Sequence, residues 1–157
     1  MSGEDILNLG FKLYEEAKKD DDEVKARSAF SRIYYGLFHI LKDKLLSSNL
    51  DRGKIRDLMK ASDEITAKAE NLNIHQALIK SIHNFKPVVA VRLRKLRAIR
   101  NHSDYNIKDS IITNGLEIQY IENRQEMKSK YDDLEEIFDD VKTVISQSKK
   151  LIKDNFK

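Results

Sequence analysis

The segment from Lys86 to Tyr105 combines cationic, imidazole and amide side chains at spacings that suit one helix. No acidic residue appears in it before Asp104, and six of its residues are cationic: Lys86, Arg92, Arg94, Lys95, Arg97 and Arg100. A block of like charge of this size indicates an anionic partner, for which phosphate is the obvious candidate. His102 adds the side chain whose ordinary pKa allows proton transfer near neutrality. Together these residue types point to chemistry on RNA.

The cationic residues and the histidine do not share one face of an ideal helix. At about 100° per residue, one stripe of the helix holds four hydrogen-bonding side chains, Arg94, Arg97, Asn101 and Tyr105. Another stripe holds Val89, Leu93 and Leu96 and is predicted to be buried. His102 lies roughly 140° around the helix from Arg97. The two side chains can share a cleft from its two edges, through a deformed last turn, or with a second copy of the chain facing the first.

Each of these side chains also has a purely structural interpretation. His102 can be a histidine at a helix C-terminus, where imidazolium interacts favourably with the helix dipole. Tyr105 can be a core tyrosine at the end of the helix or a side chain that stacks on a base. The arginines can pair with acidic residues of the predicted final helix, namely Glu122, Glu126, Asp132, Asp133 and Glu135.

The remaining motifs exclude several kinds of site. His39 lies in an apolar segment and is predicted to be a core histidine, while His75 and His83 are too far apart to share one helix face with a third ligand. The chain has no cysteine, glycine-rich phosphate loop, H-E-x-x-H motif or serine elbow. We therefore predict no metal site and no cofactor.

Composition predicts one all-α domain that spans residues 1–157. With five glycines and one proline, the chain has too few turn formers for a many-stranded protein. No apolar run reaches the roughly 18 residues that span a bilayer, and the absence of cysteine fits a reducing compartment. We expect a cytoplasmic protein that does not enter a membrane. The formal net charge is only +3, so binding to nucleic acid must come from a local patch.

The apolar pattern predicts a series of helices joined by polar connections. The predicted elements are a helix from Ser2 or Gly3 to Lys19, a central helix from about Glu23 to Leu46, two shorter helices between Arg52 and His83, the basic helix from Lys86 to about Ser103, a loop from Asn106 to Gly115, and a final helix from about Glu117 to Ile152 with a possible break near Asn123. Pro87 suits the first turn of the basic helix, where its missing N–H costs nothing.

Two segments together resemble the HEPN superfamily of small α-helical domains. The first, Ser31 to His39, reads SRIYYGLFH and is similar to the S-R-x-Y-Y-x-x-F-H helix of one bacterial and archaeal branch. The second, Leu93 to Tyr105, reads LRKLRAIRNHSDY and is similar to the L-R-x-x-R-N-x-x-D-Y segment of that branch. Nuclease members carry an arginine, four to six residues and then a histidine, a pattern that Arg97 and His102 match.

The resemblance implies an up-and-down bundle of four or five helices that forms a homodimer, with the two motifs facing each other in a composite site. The implied activity is metal-independent cleavage of single-stranded RNA to a 2′,3′-cyclic phosphate, as in a toxin or defence component with a possible antitoxin. Arg97 and His102 would be catalytic, and Arg94, Arg100, Asn101 and Tyr105 would bind RNA or phosphate. The alternative is a non-catalytic module that binds a nucleotide or a partner such as a minimal nucleotidyltransferase.

Overall fold

The computed structural model describes residues 1–47, 72–106, 108–122 and 124–156. These residues form five helices and a two-stranded antiparallel sheet, in the order α1 (Gly3–Asp20), α2 (Glu23–Ser47), α3 (Leu72–His83), α4 (Pro87–Tyr105), β1 (Leu116–Glu122), β2 (Gln125–Tyr131) and α5 (Leu134–Asn155). The predicted helical class is confirmed, with the sheet as an addition. Of the two short helices predicted between Arg52 and His83, the structure describes α3, and residues 51–71 lie outside the described residues.

The first helix begins at the predicted position because its N-terminus is capped. The Ser2 hydroxyl oxygen accepts a hydrogen bond from the Asp5 backbone N–H at 3.1 Å, and the Asp5 carboxylate accepts one from the Ser2 N–H at 3.0 Å. This reciprocal pair satisfies two donors that the first turn leaves unpaired. At the other end Asp21 adopts a left-handed conformation with φ of 50°, which ends the helix and turns the chain into α2.

Helices α1 and α2 approach each other closely through glycines. A Cβ placed on Gly36 would lie 2.6 Å from the Leu7 backbone nitrogen, and one placed on Gly10 would lie 2.7 Å from Ile33 Cγ1. No side chain fits in that space, so both glycines belong to the packing of the two helices. The result is a tight antiparallel pair that buries Leu7 and Ile33 completely.

Helices α2 and α4 form the centre of the molecule. Helix α2 packs against α1, α4 and α5, and α4 packs against α2, α3, β1 and α5. The stripe of Val89, Leu93 and Leu96 is buried, as the sequence predicted. Tyr14 stacks on Phe138 with ring centroids 3.7 Å apart, and this contact fastens α5 to α1. No helix among the described residues is long and apolar enough to cross a bilayer.

The prediction that the final helix starts near Glu117 is wrong, because Leu116–Glu122 and Gln125–Tyr131 form the two strands of an antiparallel hairpin. Along β1 the buried side chains alternate with exposed ones, so the period is two residues and not 3.6. Gly115 has φ of +71° and Arg124 has φ of 64°, and both positions turn the chain in ways a helix does not allow. The last helix begins after Asp133, whose carboxylate accepts the Glu136 N–H at 2.9 Å. Asn123, the predicted break, lies outside the described residues.

Candidate anion-binding site

A cavity of about 1090 Å³ lies between α3, α4 and the hairpin. We call it the cationic cleft because six Lys or Arg residues line it: Lys80, Arg92, Arg94, Lys95, Arg97 and Arg124. Among the described residues that line it, Glu122 is the one carboxylate. A concave surface with this excess of positive charge raises the local concentration of anions.

The predicted polar stripe of α4 forms one wall of the cationic cleft. Arg94, Arg97 and Asn101 all line it, as their spacing implied. Arg94 is half-buried and forms no hydrogen bond or ion pair with any residue that the structure describes. Burial lowers the pKa of Arg94, which reflects the cost of removing this charge from water. Tyr105, one turn further, is 75% exposed and lies outside the cleft lining, so its interpretation as a core residue is wrong.

Two other cations of the cleft are paired with the final helix, although not with the carboxylates that the sequence suggested. Asp140 lies 3.4 Å from Lys95 Nζ and 3.9 Å from Arg92 Nη1. The same carboxylate accepts a hydrogen bond from the Tyr131 hydroxyl. Arg92 thus pairs with the final helix, as the structural interpretation of the arginines expected, but through a carboxylate that it did not name, and Lys95 shares that carboxylate.

Arg100, predicted to bind phosphate, lies in the interior between α2 and α4. Its exposed fraction is 6%, and its guanidinium donates to the Tyr35 hydroxyl at 2.9 Å and to Asn101 Oδ1 at 2.8 Å. The guanidinium carbon also lies 4.7 Å from the centroid of the Tyr35 ring, within the range of a cation–π contact. These contacts favour a structural role for Arg100, which orients Asn101 at the edge of the cleft.

His102 faces the loop after α4 and the start of α2. Its Nε2 forms a hydrogen bond with the side-chain amide of Asn106 at 3.2 Å, and its Nδ1 is buried without a partner among the described residues. Burial and the nearby Arg27 guanidinium lower the pKa of His102, while Asp109 and Glu23 act in the opposite direction. The imidazole is therefore neutral at neutral pH.

Arg27 holds the end of α4 and the loop that follows it. Its Nη1 donates to the carbonyl oxygens of Ser103 at 3.0 Å and Asn106 at 2.6 Å, and its Nε pairs with Glu23 at 3.0 Å. The Glu23 carboxylate in turn accepts the backbone N–H of Ile111 at 2.8 Å. Burial raises the pKa of Glu23, but these hydrogen bonds and Arg27 outweigh that effect and leave the pKa lowered. This network positions His102 and the loop together.

Within one chain, Arg97 and His102 have different surroundings. Arg97 lines the cationic cleft, whereas His102 is absent from its lining and contacts Asn106. Helix α4 continues to Tyr105, so its last turn is not deformed at His102. The two side chains therefore keep the separation of roughly 140° that an ideal helix gives them. A shared site would therefore need a second protomer.

The other histidines differ from what the sequence indicated. His39 is exposed, so its interpretation as a core histidine is wrong. His75 is buried instead and hydrogen-bonds through Nδ1 to the Tyr34 hydroxyl at 2.7 Å. His83 lines the cationic cleft and was missed as a site residue. The sequence pattern that could have identified His83 is a polar stripe on α3, where Gln76, Lys80 and His83 recur at helical spacing. All three residues line the cleft. The described residues hold no cluster of metal-ligating side chains.

The two segments that resemble the HEPN superfamily lie against each other. The Ser31 hydroxyl donates to the Asp104 carboxylate at 3.3 Å, and Arg100 donates to the Tyr35 hydroxyl. The residues of each quoted pattern thus form the α2–α4 contact.

Comparison of the chain with protein-family models, curated proteins and solved structures finds no match.

Proposed function

We propose that this protein binds single-stranded RNA in the cationic cleft. The observation that carries the proposal is the placement of Arg94, Arg97 and Asn101 on one wall of a cavity whose lining, among the described residues, holds six cations and one carboxylate. Arg94 is partly desolvated without an anionic partner among the described residues, so a phosphate oxygen there would offset the cost of its burial.

The side chains of the cleft suit a phosphodiester strand better than an isolated small anion. Arginine presents a planar fork that matches two phosphate oxygens, and Asn101 adds an amide for a ribose hydroxyl or the polar edge of a base. The opposite wall contributes Tyr120 and the half-exposed Ile121, against which unpaired bases can stack or pack. The ligand class is therefore a strand with several phosphates and accessible bases.

The direct test removes the two arginines of the polar stripe. We expect Arg94→Gln combined with Arg97→Gln to weaken the binding of a short oligouridylate by at least roughly tenfold at low salt, because phosphate contacts dominate such affinities. The plot of log Kd against log salt should also become shallower by roughly 0.7 for each lost phosphate contact. Fluorescence anisotropy over a salt series measures both quantities.

The matched control changes charge elsewhere by the same amount. Lys149 and Lys150 are exposed on α5 and do not line the cleft. Lys149→Gln combined with Lys150→Gln should retain most of the affinity. Equal losses in the two double variants would show that the overall charge binds RNA and that the cleft does not, which would overturn the proposal.

Cleavage of the bound RNA is the second candidate function. The observation that favours it is the lowered pKa of His102, since a neutral imidazole can accept the proton of a 2′-hydroxyl at neutral pH. The phosphorane charge would be neutralised by Arg97 through its guanidinium fork. Because these residues have separate surroundings in one chain, we propose that cleavage occurs in a homodimer, where His102 of one protomer meets Arg97 of the other. The resemblance to the HEPN superfamily also predicts a protein partner, either an antitoxin or a nucleotidyltransferase.

A further inference from the structure

Asp140 pairs with two of the cations that line the cationic cleft, although it is not itself part of the lining. Its carboxylate on α5 lies 3.4 Å from Lys95 Nζ and 3.9 Å from Arg92 Nη1, and all three side chains are largely but not fully buried. Arg92 Nε is buried with no hydrogen-bond acceptor among the described residues. The ion pairs are thus long, and Arg92 keeps a donor that no described residue uses.

The cations of α4 form two groups. Arg92 and Lys95 line the cleft and form ion pairs with Asp140 of α5. Arg94 and Arg97 line the same cleft and do not pair with Asp140. The carboxylate accepts a hydrogen bond from the Tyr131 hydroxyl, and its distances to Lys95 Nζ and Arg92 Nη1 are both longer than those of good hydrogen bonds. A phosphate entering the cleft would present more oxygens and more charge to the same two cations.

We propose that Asp140 sets the affinity of the cationic cleft by competing with ligand phosphates for Arg92 and Lys95. This inference rests on the proposed function. A ligand with one phosphate binds at Arg94 and Arg97 and leaves the Asp140 pairs intact. A strand with several adjacent phosphates must displace the carboxylate, so Asp140 lowers the affinity of the cleft for RNA strands and leaves its affinity for small phosphate compounds unchanged.

The experiment compares Asp140→Asn with Asp139→Asn. Both variants remove one negative charge from the same turn of α5, but Asp139 is exposed and pairs with Lys142 at 3.7 Å, away from the cleft. With an oligouridylate of about ten nucleotides, a length within the usual range of single-strand sites, we expect Asp140→Asn to bind roughly three- to tenfold more tightly than Asp139→Asn, as expected from releasing two weak ion pairs. Its salt dependence should be steeper by roughly 0.7 for each additional phosphate contact.

Tyr131→Phe separates competition from a loosened hairpin. It removes the hydroxyl that donates a hydrogen bond to Asp140 but leaves the charge of the carboxylate, so it should not tighten RNA binding. Thermal unfolding of each variant shows whether the fold is kept. Tightening by Tyr131→Phe equal to that by Asp140→Asn would overturn the inference, because it would assign the effect to hairpin movement.

Two further outcomes separate this inference from the proposed function. If the parent protein binds RNA through Arg94 and Arg97 while Asp140→Asn and Asp139→Asn bind alike or Asp140→Asn binds more weakly, the competition does not exist and the proposed function stands. If neither the parent nor Asp140→Asn binds RNA above the level of the Arg94 and Arg97 variant, the proposed function and the inference fail together.

Discussion

His75 is the residue whose protonation would act most directly on the fold. Its ring lies 4.2 Å from the Phe38 ring and 5.5 Å from the Tyr34 ring, measured between centroids, and its exposed fraction is 7%. Burial lowers its pKa to about 4, and the positive charges of Arg97 and Arg100 act in the same direction. The folded protein therefore holds this histidine neutral, while the unfolded chain protonates it near its ordinary pKa of 6.5.

This difference predicts an acid-sensitive stability. Between pH 6.5 and about 4 the unfolded chain binds the proton and the folded chain does not, so the free energy of unfolding falls as pH falls through this window, by up to roughly 3 kcal/mol. His75→Gln should flatten this part of the profile, whereas His39→Gln, at an exposed position of α2, should leave it unchanged. Urea unfolding at several pH values measures the slope. Parallel profiles for the parent and His75→Gln would contradict the prediction.

The same two histidines show what residue-level reasoning can predict. His39 follows an apolar run in the sequence, and its neighbour Phe38 is indeed buried. Helical rotation nevertheless points the histidine outward, and an apolar neighbourhood in sequence does not distinguish adjacent positions of a helix that is buried nearly all round. His75 became buried through contacts with Tyr34 and Phe38, which lie far away in sequence, so no local pattern indicated it.

At the scale of elements, the close contact of α1 with α2 gives a second stability prediction. Gly36→Ala places a methyl group 2.6 Å from the Leu7 backbone nitrogen and 2.8 Å from Leu7 Cα, where the neighbour cannot rotate away. We expect a loss of roughly 1–3 kcal/mol in the free energy of unfolding, although alanine is the better helix former. Denaturant unfolding measures it.

The control for this substitution is Asn8→Ala on the exposed side of α1, which changes helix propensity without a close contact. It should leave stability unchanged or raise it slightly. A Gly36→Ala variant as stable as Asn8→Ala would show that the two helices can separate at no cost.

Helix boundaries near clear signals were predictable, and the hairpin was not. The Ser2 cap, Pro87 and the buried stripe of α4 each rest on a local interaction that the sequence displays. In the segment that forms β1, however, Ile118 and Ile121 are three apart, a spacing that fits one face of a helix and places the two side chains on opposite faces of a strand. The hairpin forms because Leu116 and Ile118 pack in the core beside α4, a tertiary contact that overrides the local pattern.

At the scale of the whole molecule, the small net charge of +3 conceals a strongly uneven distribution. Of the six cations that line the cleft among the described residues, four belong to the basic segment, and Lys80 and Arg124 come from other elements. The sequence could not predict that Asp140 would hold two of them or that Arg100 would be buried, because both depend on how α5 and α2 pack against α4. The HEPN resemblance, the homodimer and RNA cleavage stay predictions.

Mixing two inactive variants tests the composite site. If Arg97 of one protomer acts with His102 of the other, Arg97→Ala and His102→Ala should each abolish RNA cleavage. An equal mixture of the two variants that exchanges subunits should recover about a quarter of the parent activity. Half of its dimers then contain one of each variant, and each of these mixed dimers holds one intact site of two. Product analysis in EDTA for a 2′,3′-cyclic phosphate measures the reaction. His83→Ala is the control because His83 lines the cleft of its own chain.

An inactive mixture of two folded, dimeric variants would place both residues in one chain or outside catalysis. Loss of cleavage in His83→Ala with full activity in His102→Ala would assign proton transfer to the histidine inside the cleft.

The hold of Arg27 on the segment after α4 has a practical consequence for protein engineering. Connecting segments ordinarily tolerate inserted residues or tags. Here one guanidinium supports carbonyl groups at Ser103, Asn106 and Asp109, so added length would pull them from their donor and uncap the helix that forms one wall of the cleft. A label placed in this connection would therefore disturb a surface several turns away from the point of insertion.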